Sequence, residues 1–387
     1  MMRIFLRSLI LAAVAATSSN CSALVYQFDG DTDNTFLTAA NWNEFVSNTD
    51  GLPGPSDRAI INDNFAVNYG SSATTTLGSL IVGADWPVTG DLGTDGTLNM
   101  TAGKIVVAGG GDSFQIARAR GAVLGDANGD GLVQITNAEL QIGGSDPIIG
   151  TRDRGVLDIG QNGKVYNTPG QDNYWRLGNY GPSIDAGLEG NGLLYVHDNG
   201  TFNAHVIFIG DNDSTGELRV ADSGSVLLTG NLVPRPSGFQ VNGSATVHMI
   251  GSNATLSAFN LESESLPGEV RTKYRFDADT LGVSEIKLTD AINITNNDLE
   301  VNLGSFVLSP QAKITLFDGD QSLATSRIFG TFANLTVNGV ANPANYTVVY
   351  DQAIGDIQLM AIPEPSALLL VGLGFAAVLS ARGRTTC

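Results

Sequence analysis

The residues that could carry out chemistry in this chain are few. Of the three histidines, His197 and His205 lie eight positions apart and outside any metal-binding or catalytic-triad motif. Two clusters, Arg152-Asp153-Arg154 and Asp211-Asn212-Asp213, could supply carboxylates for cleaving a glycosidic bond, which needs two carboxyl groups about 5 to 9.5 Å apart. Both clusters fall where turns are expected, and Asp and Asn stabilise turns without catalysing anything. We therefore expect a protein that is not an enzyme, with a polysaccharide lyase or hydrolase as the alternative.

One segment has the spacing of a metal-ligand set. The ligand candidates are the alternating residues Asp126, Asn128, Asp130 and Leu132. They resemble the calcium loop of dockerin and EF-hand proteins, which implies a sharp turn at Gly131, a backbone carbonyl ligand from Leu132, and calcium as a cofactor. The twelfth position is Asn137, which cannot supply the bidentate carboxylate of those loops. The alternative is an Asx-Gly turn that binds no metal.

The end of the chain combines a short polar motif, an apolar run over 367–379 and two basic residues, Arg382 and Arg384. The polar motif consists of Pro363, Glu364 and Pro365. This tail resembles the PEP-CTERM sorting signal of bacterial envelope proteins, which in that family is read by an exosortase, a membrane transpeptidase. About 15 apolar residues in a helix reach only about 22 Å, so a short transmembrane-like helix suits transient membrane retention. An ordinary anchor or a buried core helix is the alternative.

The start of the chain has the features of a secretory signal peptide over residues 1–23. Arg3 and Arg7 give a basic first region, an apolar stretch follows, and small residues up to Ala23 offer a cleavage site. Cys21 raises the alternative of a lipoprotein, but no aliphatic residue precedes it at the expected position. We expect an exported protein whose C-terminal tail lies in the inner membrane before processing, with Arg382 and Arg384 on the cytoplasmic side.

Composition is consistent with an extracellular protein without disulfides. The two cysteines, Cys21 and Cys387, lie in segments expected to be removed, which excludes a disulfide, a thiolate metal site and a cysteine nucleophile in the mature chain. The formal net charge is -19. Such a field repels phosphate backbones, so a nucleic-acid partner is not expected, and an anionic polysaccharide needs a local basic patch or bridging cations.

A repeat predicts the fold. Five strands share the pattern Gly-x-aliphatic-x-aliphatic, and a sixth, degenerate copy begins at Ala245; the five begin at Gly96, Gly131, Gly155, Gly192 and Gly216. Two of the five intervals between copies are 24 residues, and the others are lengthened by turn-rich inserts. A second short strand follows each copy, and several copies have a third. This pattern predicts an all-β chain that forms a parallel β-solenoid; a β-sandwich is the alternative.

The repeat divides the chain into five parts: signal peptide 1–23, N-terminal cap 24–76, β-solenoid 77–260, C-terminal β-domain 261–361 and sorting signal 362–387. The opening after the signal peptide is similar to that of secreted, autotransporter-like bacterial β-solenoid proteins, and Trp42 is expected to plug the first coil. Alternation predicts an outward stripe that would form a binding face, made of Asn99, Gln134, Asp158, Tyr195, Arg219 and His248. We expect an envelope-sorted structural or adhesive surface protein associated with exopolysaccharide or extracellular matrix.

Overall fold

A computed structural model describes residues 23–84, 95–111, 113–118, 129–144, 146–151, 153–179, 190–211, 214–234, 243–263, 265, 270–319 and 328–363. Several predicted features lie outside these residues, namely the signal peptide up to residue 22, Asp126, Asn128, Arg152, Asn212, Asp213 and the tail from Glu364 onward. The described part of the chain is all-β apart from a 3-10 helix at Ala39–Asn41.

The described residues form three sheets, whose strands are numbered in chain order. The first sheet contains β1 (Val25–Phe28), β2 (Trp42–Glu44), β3 (Thr49–Asp50), β4 (Arg58–Ile61), β7 (Ser79–Ala84), β10 (Phe114–Arg118), β13 (Ile148–Ile149), β16 (Tyr174–Leu177), β19 (Val206–Ile209), β22 (Leu232–Pro234), β25 (Leu261–Glu262), β28 (Ile292–Asn293) and β31 (Ile328–Phe329). The second contains β5 (Phe65–Tyr69), β8 (Gly96–Met100), β11 (Gly131–Thr136), β14 (Arg154–Gly160), β17 (Asn191–Val196), β20 (Thr215–Ala221), β23 (Ser244–Ile250), β26 (Lys273–Asp277), β29 (Asp298–Asn302), β32 (Asn334–Val337) and β33 (Val340–Ala341). The third contains β6 (Thr74–Leu77), β9 (Lys104–Val107), β12 (Glu139–Ile142), β15 (Lys164–Asn167), β18 (Thr201–Ala204), β21 (Ser225–Leu228), β24 (Thr255–Ala258), β27 (Ile286–Leu288), β30 (Lys313–Gly319), β34 (Tyr346–Asp351) and β35 (Asp356–Ala361).

The chain visits the three sheets in turn and then advances by one strand in each, so β4 to β30 form stacked three-strand coils. Strands of successive coils pair in parallel; β11, for example, lies between β8 and β14, with Val133 opposite Leu98 and Leu157. Consecutive strands in these coils belong to different sheets, whereas a sandwich of hairpins would pair them antiparallel. The predicted parallel β-solenoid is therefore confirmed.

The interior of the coils is filled by the aliphatic residues of the repeat. Leu98, Val133 and Leu157 are fully buried, each in a different strand. The residues on either side of each of them are only half-buried. The leading glycines lie where the first and second sheets meet. A Cβ on Gly96 would lie 2.2 Å from the Ile61 carbonyl oxygen, so this corner has no room for a larger residue.

The N-terminal cap closes the first coil with aromatic side chains. Trp42, in β2, is fully buried; its ring lies edge-on to Phe28 and Phe36, with centroid distances of 5.2 and 4.9 Å. Its Nε1–H donates to the Phe36 carbonyl oxygen at 2.6 Å. Trp42 therefore occupies the position of a plug, as the sequence predicts, and its one polar group has a partner.

Parallel stacking extends beyond the limits that the sequence suggests for the repeats. It begins with the pairing of β1 and β4, within the segment predicted as the cap, and continues past residue 260 through β26, β29 and β32. Tyr274 and Phe276 fill the interior of β26 where earlier coils have aliphatic residues, so the glycine-led signature fades although the coil persists. The predicted C-terminal β-domain is therefore a continuation of the coils, closed by antiparallel β33, β34 and β35.

Candidate functional site

The predicted outward stripe exists as one column of side chains across the second sheet. Parallel register places Asn99 beside Gln134, and Gln134 beside Asp158. Tyr195, Arg219 and His248 continue the column in β17, β20 and β23. Because neighbouring strands lie about 4.8 Å apart, each side chain can reach the next coil. The column also extends further than predicted, to Arg275 and Glu300.

His197, just after β17, joins the middle of this column. Its Nε2 lies 2.8 Å from Asp158 Oδ1 and its Nδ1 lies 2.9 Å from Asp198 Oδ2. The Tyr195 ring stacks on the imidazole with a centroid distance of 4.3 Å. Burial alone would lower the pKa of His197, but the hydrogen bonds and negative charges of Asp198 and Asp158 outweigh burial, so the pKa is raised above its ordinary value.

A second charged group surrounds His248, which is buried. Its Nε2 lies 2.7 Å from Asp277 Oδ2, and its Nδ1 lies 3.5 Å from Glu217 Oε1. Arg219 Nη2 lies 2.7 Å from the same Glu217 oxygen, and Arg275 Nε donates to Asp277 Oδ1 at 3.1 Å. This ionic network links β20, β23 and β26.

The pKa values of the two acids in this network follow from their partners. Burial raises the pKa of Glu217, but hydrogen bonds from His248 and Arg219 outweigh that effect and hold it below its usual range. Burial also raises the pKa of Asp277, and hydrogen bonds from Arg275, Asn302 and His248 likewise bring it below its usual value. Both carboxyl groups are therefore ionised at neutral pH.

Ionised, paired carboxylates suit binding better than proton transfer. Glycosidic cleavage needs one carboxyl group that keeps its proton at the working pH. Among the described aspartates and glutamates, burial raises the pKa of Asp29 and Asp356, which lie just after β1 and in β35, near opposite ends of the coil stack. The stripe thus offers fixed charges and hydrogen-bonding groups, and its two acids with lowered pKa are poor proton donors.

Of the two clusters considered for catalysis, the described aspartates, Asp153 and Asp211, each lie between a strand of the first sheet and the next strand of the second sheet. Asp153 is buried before β14, and its Oδ2 accepts a hydrogen bond from the Gly129 N–H at 3.4 Å. Asp211 is buried after β19 and forms an ion pair with Arg176. The two aspartates belong to coils that are not adjacent, so the fold does not bring them together. Arg152, Asn212 and Asp213 lie outside the described residues.

Asp130, the described acid of the calcium motif, participates in turn hydrogen bonds. Its Oδ1 accepts the Arg154 N–H at 3.3 Å, and its own N–H donates to Asp95 Oδ1 at 3.0 Å. These contacts join neighbouring coils at one corner, and they differ from the local side chain-to-backbone bond of an Asx turn. Asp126 and Asn128 are outside the described part of the chain.

Leu132 and Asn137 do not fit a twelve-residue calcium loop. Leu132 lies in β11 opposite Thr97 and Val156, so its backbone is extended. From residue 131 onward, the segment expected to form the calcium loop is therefore a strand. Asn137 lies at the far end of that strand with φ 53°, and its Oδ1 accepts from Asn162 at 3.1 Å. Among described residues, no group of three or more His, Cys, Asp or Glu is placed to hold a metal ion. Calcium binding by Asp126, Asn128, Asp130 and Leu132 stays a prediction, and the position of Leu132 in a strand does not support it.

The sorting motif begins where the coils end. β35 finishes at Ala361, the Ile362 N–H donates to the Asn345 carbonyl oxygen at 2.8 Å, and Pro363 is described without a strand assignment. Glu364, Pro365, Arg382 and Arg384 lie outside the described residues, as does the predicted short helix. In the part of the chain that is described, no helix is long and apolar enough to cross a membrane.

Comparison with known proteins identifies this tail. The family model described as the PEP-CTERM protein-sorting motif matches residues 361–384. No curated protein matches the chain. The match supports an exported protein that is sorted to the cell envelope and processed by an exosortase-type sorting enzyme.

Sequence reasoning identified the stripe but missed the acids that flank it. Glu217 and Asp277 lie two residues from Arg219 and Arg275 on the same strand faces, so alternation alone would have placed them outward. Their convergence on His248 depends on the register between neighbouring strands. His248 and Asp277, for example, are 29 residues apart in the sequence. The length of the intervening turns hides that register in the sequence.

Proposed function

We propose that this chain is a structural surface protein of the bacterial envelope that presents a rigid β-solenoid and associates with exopolysaccharide or extracellular matrix. One observation carries the proposal. The sorting motif, residues 361–384, starts at the last residue of β35, the strand that covers β30. Removal of the tail after this point takes away no described strand, so the processed product keeps its coils and its cap.

The second-sheet stripe supports the association with matrix. Its side chains are fixed by ion pairs and hydrogen bonds between coils, such as the bond from Gln134 Nε2 to Asp158 Oδ2 at 3.2 Å. A surface whose polar groups are already ordered loses little side-chain entropy when it binds. Repetition along the coils presents one polar side chain per coil at regular intervals, which suits a polymer better than a single small molecule.

The sorting part of the proposal is tested by the mass of the C-terminus. Glu364→Ala leaves the hydrophobicity of the tail almost unchanged, so a plain anchor would tolerate it, whereas a sorting enzyme would no longer recognise the motif. In the exporting native host, mass spectrometry should find the wild-type surface protein truncated after the motif and the variant with its full C-terminal mass. Asp172→Ala, which changes an exposed acid just before β16 in the middle of the coil stack, is the control. A wild-type surface protein that still ends in Cys387 contradicts the proposal.

The matrix part needs a separate measurement. Wild-type protein purified after processing should be retained by the host's own extracellular polysaccharide and released by washing with the soluble polymer. Correct processing without retention would leave a sorted protein and contradict the matrix association.

A further inference from the structure

A cavity of about 610 Å³ lies against the first sheet at the N-terminal coils. Three of its lining residues, Arg58, Ser79 and Ser113, stack across successive coils. Arg58 is opposite Ser79, and Ser113, which precedes β10, is adjacent to Ser79 because Leu80 is opposite Phe114. The Ser113 carbonyl oxygen accepts the Leu80 N–H at 2.8 Å, which fixes this column.

The two serine hydroxyls of this column are buried and unpartnered. Ser113 is 4% exposed, and neither its Oγ nor that of Ser79 has a hydrogen-bond partner among the described residues. A buried hydroxyl without a partner is destabilising, and such groups in native proteins usually have a partner. Two adjacent hydroxyls on the wall of one cavity therefore indicate a partner from outside the chain.

The other polar groups of the cavity are donors or cations. Arg58 and Arg118 bring two permanent positive charges to its wall. Gly109 and Gly110 also line it, and their N–H groups donate to no backbone carbonyl in the described turns. Hydroxyls, backbone N–H groups and guanidinium groups together form the donor set that recognises an oxyanion.

Asp57 and the net charge of the chain both affect the electrostatic potential around this cavity. Asp57 directly precedes Arg58, and its two carboxylate oxygens accept the Leu24 N–H at 3.0 Å and the Gly54 N–H at 2.8 Å. The chain as a whole has a net charge of -19, whereas the wall of this cavity includes two arginines, Arg58 and Arg118. Because the chain is acidic, binding of an anionic polysaccharide needs a local basic patch or bridging cations.

We propose that this cavity binds the oxyanion group of an acidic sugar, such as the carboxylate of a uronate or a sulfate ester, as a subsite for exopolysaccharide. The volume is in the range of pockets that hold small organic ligands, about 300 to 1,000 Å³, so a sugar ring can enter with its acid group. The choice of a sugar rests on the proposed function, whereas the anion chemistry follows from the cavity itself.

The test is calorimetric titration of the exported, processed protein at low ionic strength with sodium glucuronate, sodium sulfate and methyl glucoside. We expect saturable binding of glucuronate or sulfate, competition between them, and no binding of the neutral sugar. Tighter binding of glucuronate identifies a uronate, and tighter binding of sulfate identifies a sulfate ester. The double variant Ser79→Ala/Ser113→Ala should weaken binding at least tenfold, and Arg58→Gln should weaken it as well.

The serine variant separates recognition from stability. Because the two hydroxyls have no partner among the described residues, their removal should leave the Tm of the ligand-free protein unchanged or higher. Ser225→Ala, on the third sheet, is the matched control and should change neither binding nor Tm. Absence of saturable anion binding, undiminished binding by the double variant, or a lower Tm of that variant without ligand overturns the proposal. Normal processing and matrix retention without glucuronate or sulfate binding would overturn this site alone.

Discussion

At the scale of single residues, His197 shows how the coils give a side chain a role that its neighbours in sequence do not. The imidazole lies between Asp158, from the preceding coil, and Asp198, its neighbour in sequence. Both contacts favour the protonated ring, and they raise its pKa despite partial burial. Asp158, an outward residue that alternation alone would treat as expendable, therefore contributes to stability in a pH-dependent way.

The first prediction concerns His197 and Asp158. A group whose pKa is higher in the folded than in the unfolded state stabilises the fold fully below its ordinary pKa of about 6.5 and loses that contribution as pH rises through the folded value. Wild-type protein should therefore lose part of its free energy of unfolding as pH rises from about 6.5 through the raised pKa of His197. The loss should be less than about 1 kcal/mol because the pair is partly exposed. Denaturant unfolding across that pH range measures it.

The comparison variants are Asp158→Asn and His205→Gln. Asp158→Asn should flatten the pH dependence, whereas His205→Gln should keep it, since His205 contacts the Thr229 hydroxyl and, among the described residues, no carboxylate. Equal pH slopes in wild type and Asp158→Asn would contradict the assignment.

At the scale of the strand, alternation decides which substitutions are tolerated. In β14, Leu157 is fully buried, and the preceding Val156 is half-buried on the outer face. The two residues are consecutive in the chain, and both pair with β11 and β17. The side of the strand is the main difference between them.

The second prediction uses this matched pair. Leu157→Asp places an uncompensated charge in a dry interior and should cost several kcal/mol, roughly 3 or more, in the free energy of unfolding. Val156→Asp leaves its charge in water and should cost about 1 kcal/mol or less. Chemical denaturation of both variants measures the difference, and similar losses would contradict the alternation.

At the scale of the whole molecule, a stack of coils is stable only if its ends are closed. Unpaired strand edges and an exposed apolar interior invite other copies to add to the stack. The N-terminal end is closed by Trp42, whereas Trp175 is also fully buried but lies in β16, in the middle of the stack. Each indole N–H has a partner, the Phe36 carbonyl for Trp42 and Asn167 Oδ1 for Trp175.

The third prediction compares these two tryptophans. Trp42→Ala and Trp175→Ala should each cost roughly 3 to 5 kcal/mol through loss of buried contacts and formation of a cavity. Only Trp42→Ala opens an end of the stack, so it alone should cause concentration-dependent self-association. Sedimentation velocity at several concentrations tests this, and equal association by both variants would show that Trp42 does not close the end.

The sequence by itself determined the features that are written locally. Alternation within five residues, as in Gly131 to Ile135, defines a strand with one buried face, and its recurrence with turn-rich inserts defines a solenoid. The tail motif is likewise contiguous, so the sequence revealed the sorting signal directly. The calcium motif shows the limit of such reasoning, because its sequence did not reveal that β11 already begins at Gly131 and includes Leu132.

Only the tertiary structure decided which side chains meet across coils. Asp158 and His197 are 39 residues apart. Ser79 and Ser113 belong to successive coils, with β8 and β9 between them in the chain. Register is set by hydrogen bonding between stacked strands and by the fit of glycines at the corners, and inserts of variable length erase it from the sequence. The charged network around His248 and the cavity beside Arg58 therefore emerge only from the folded coil stack.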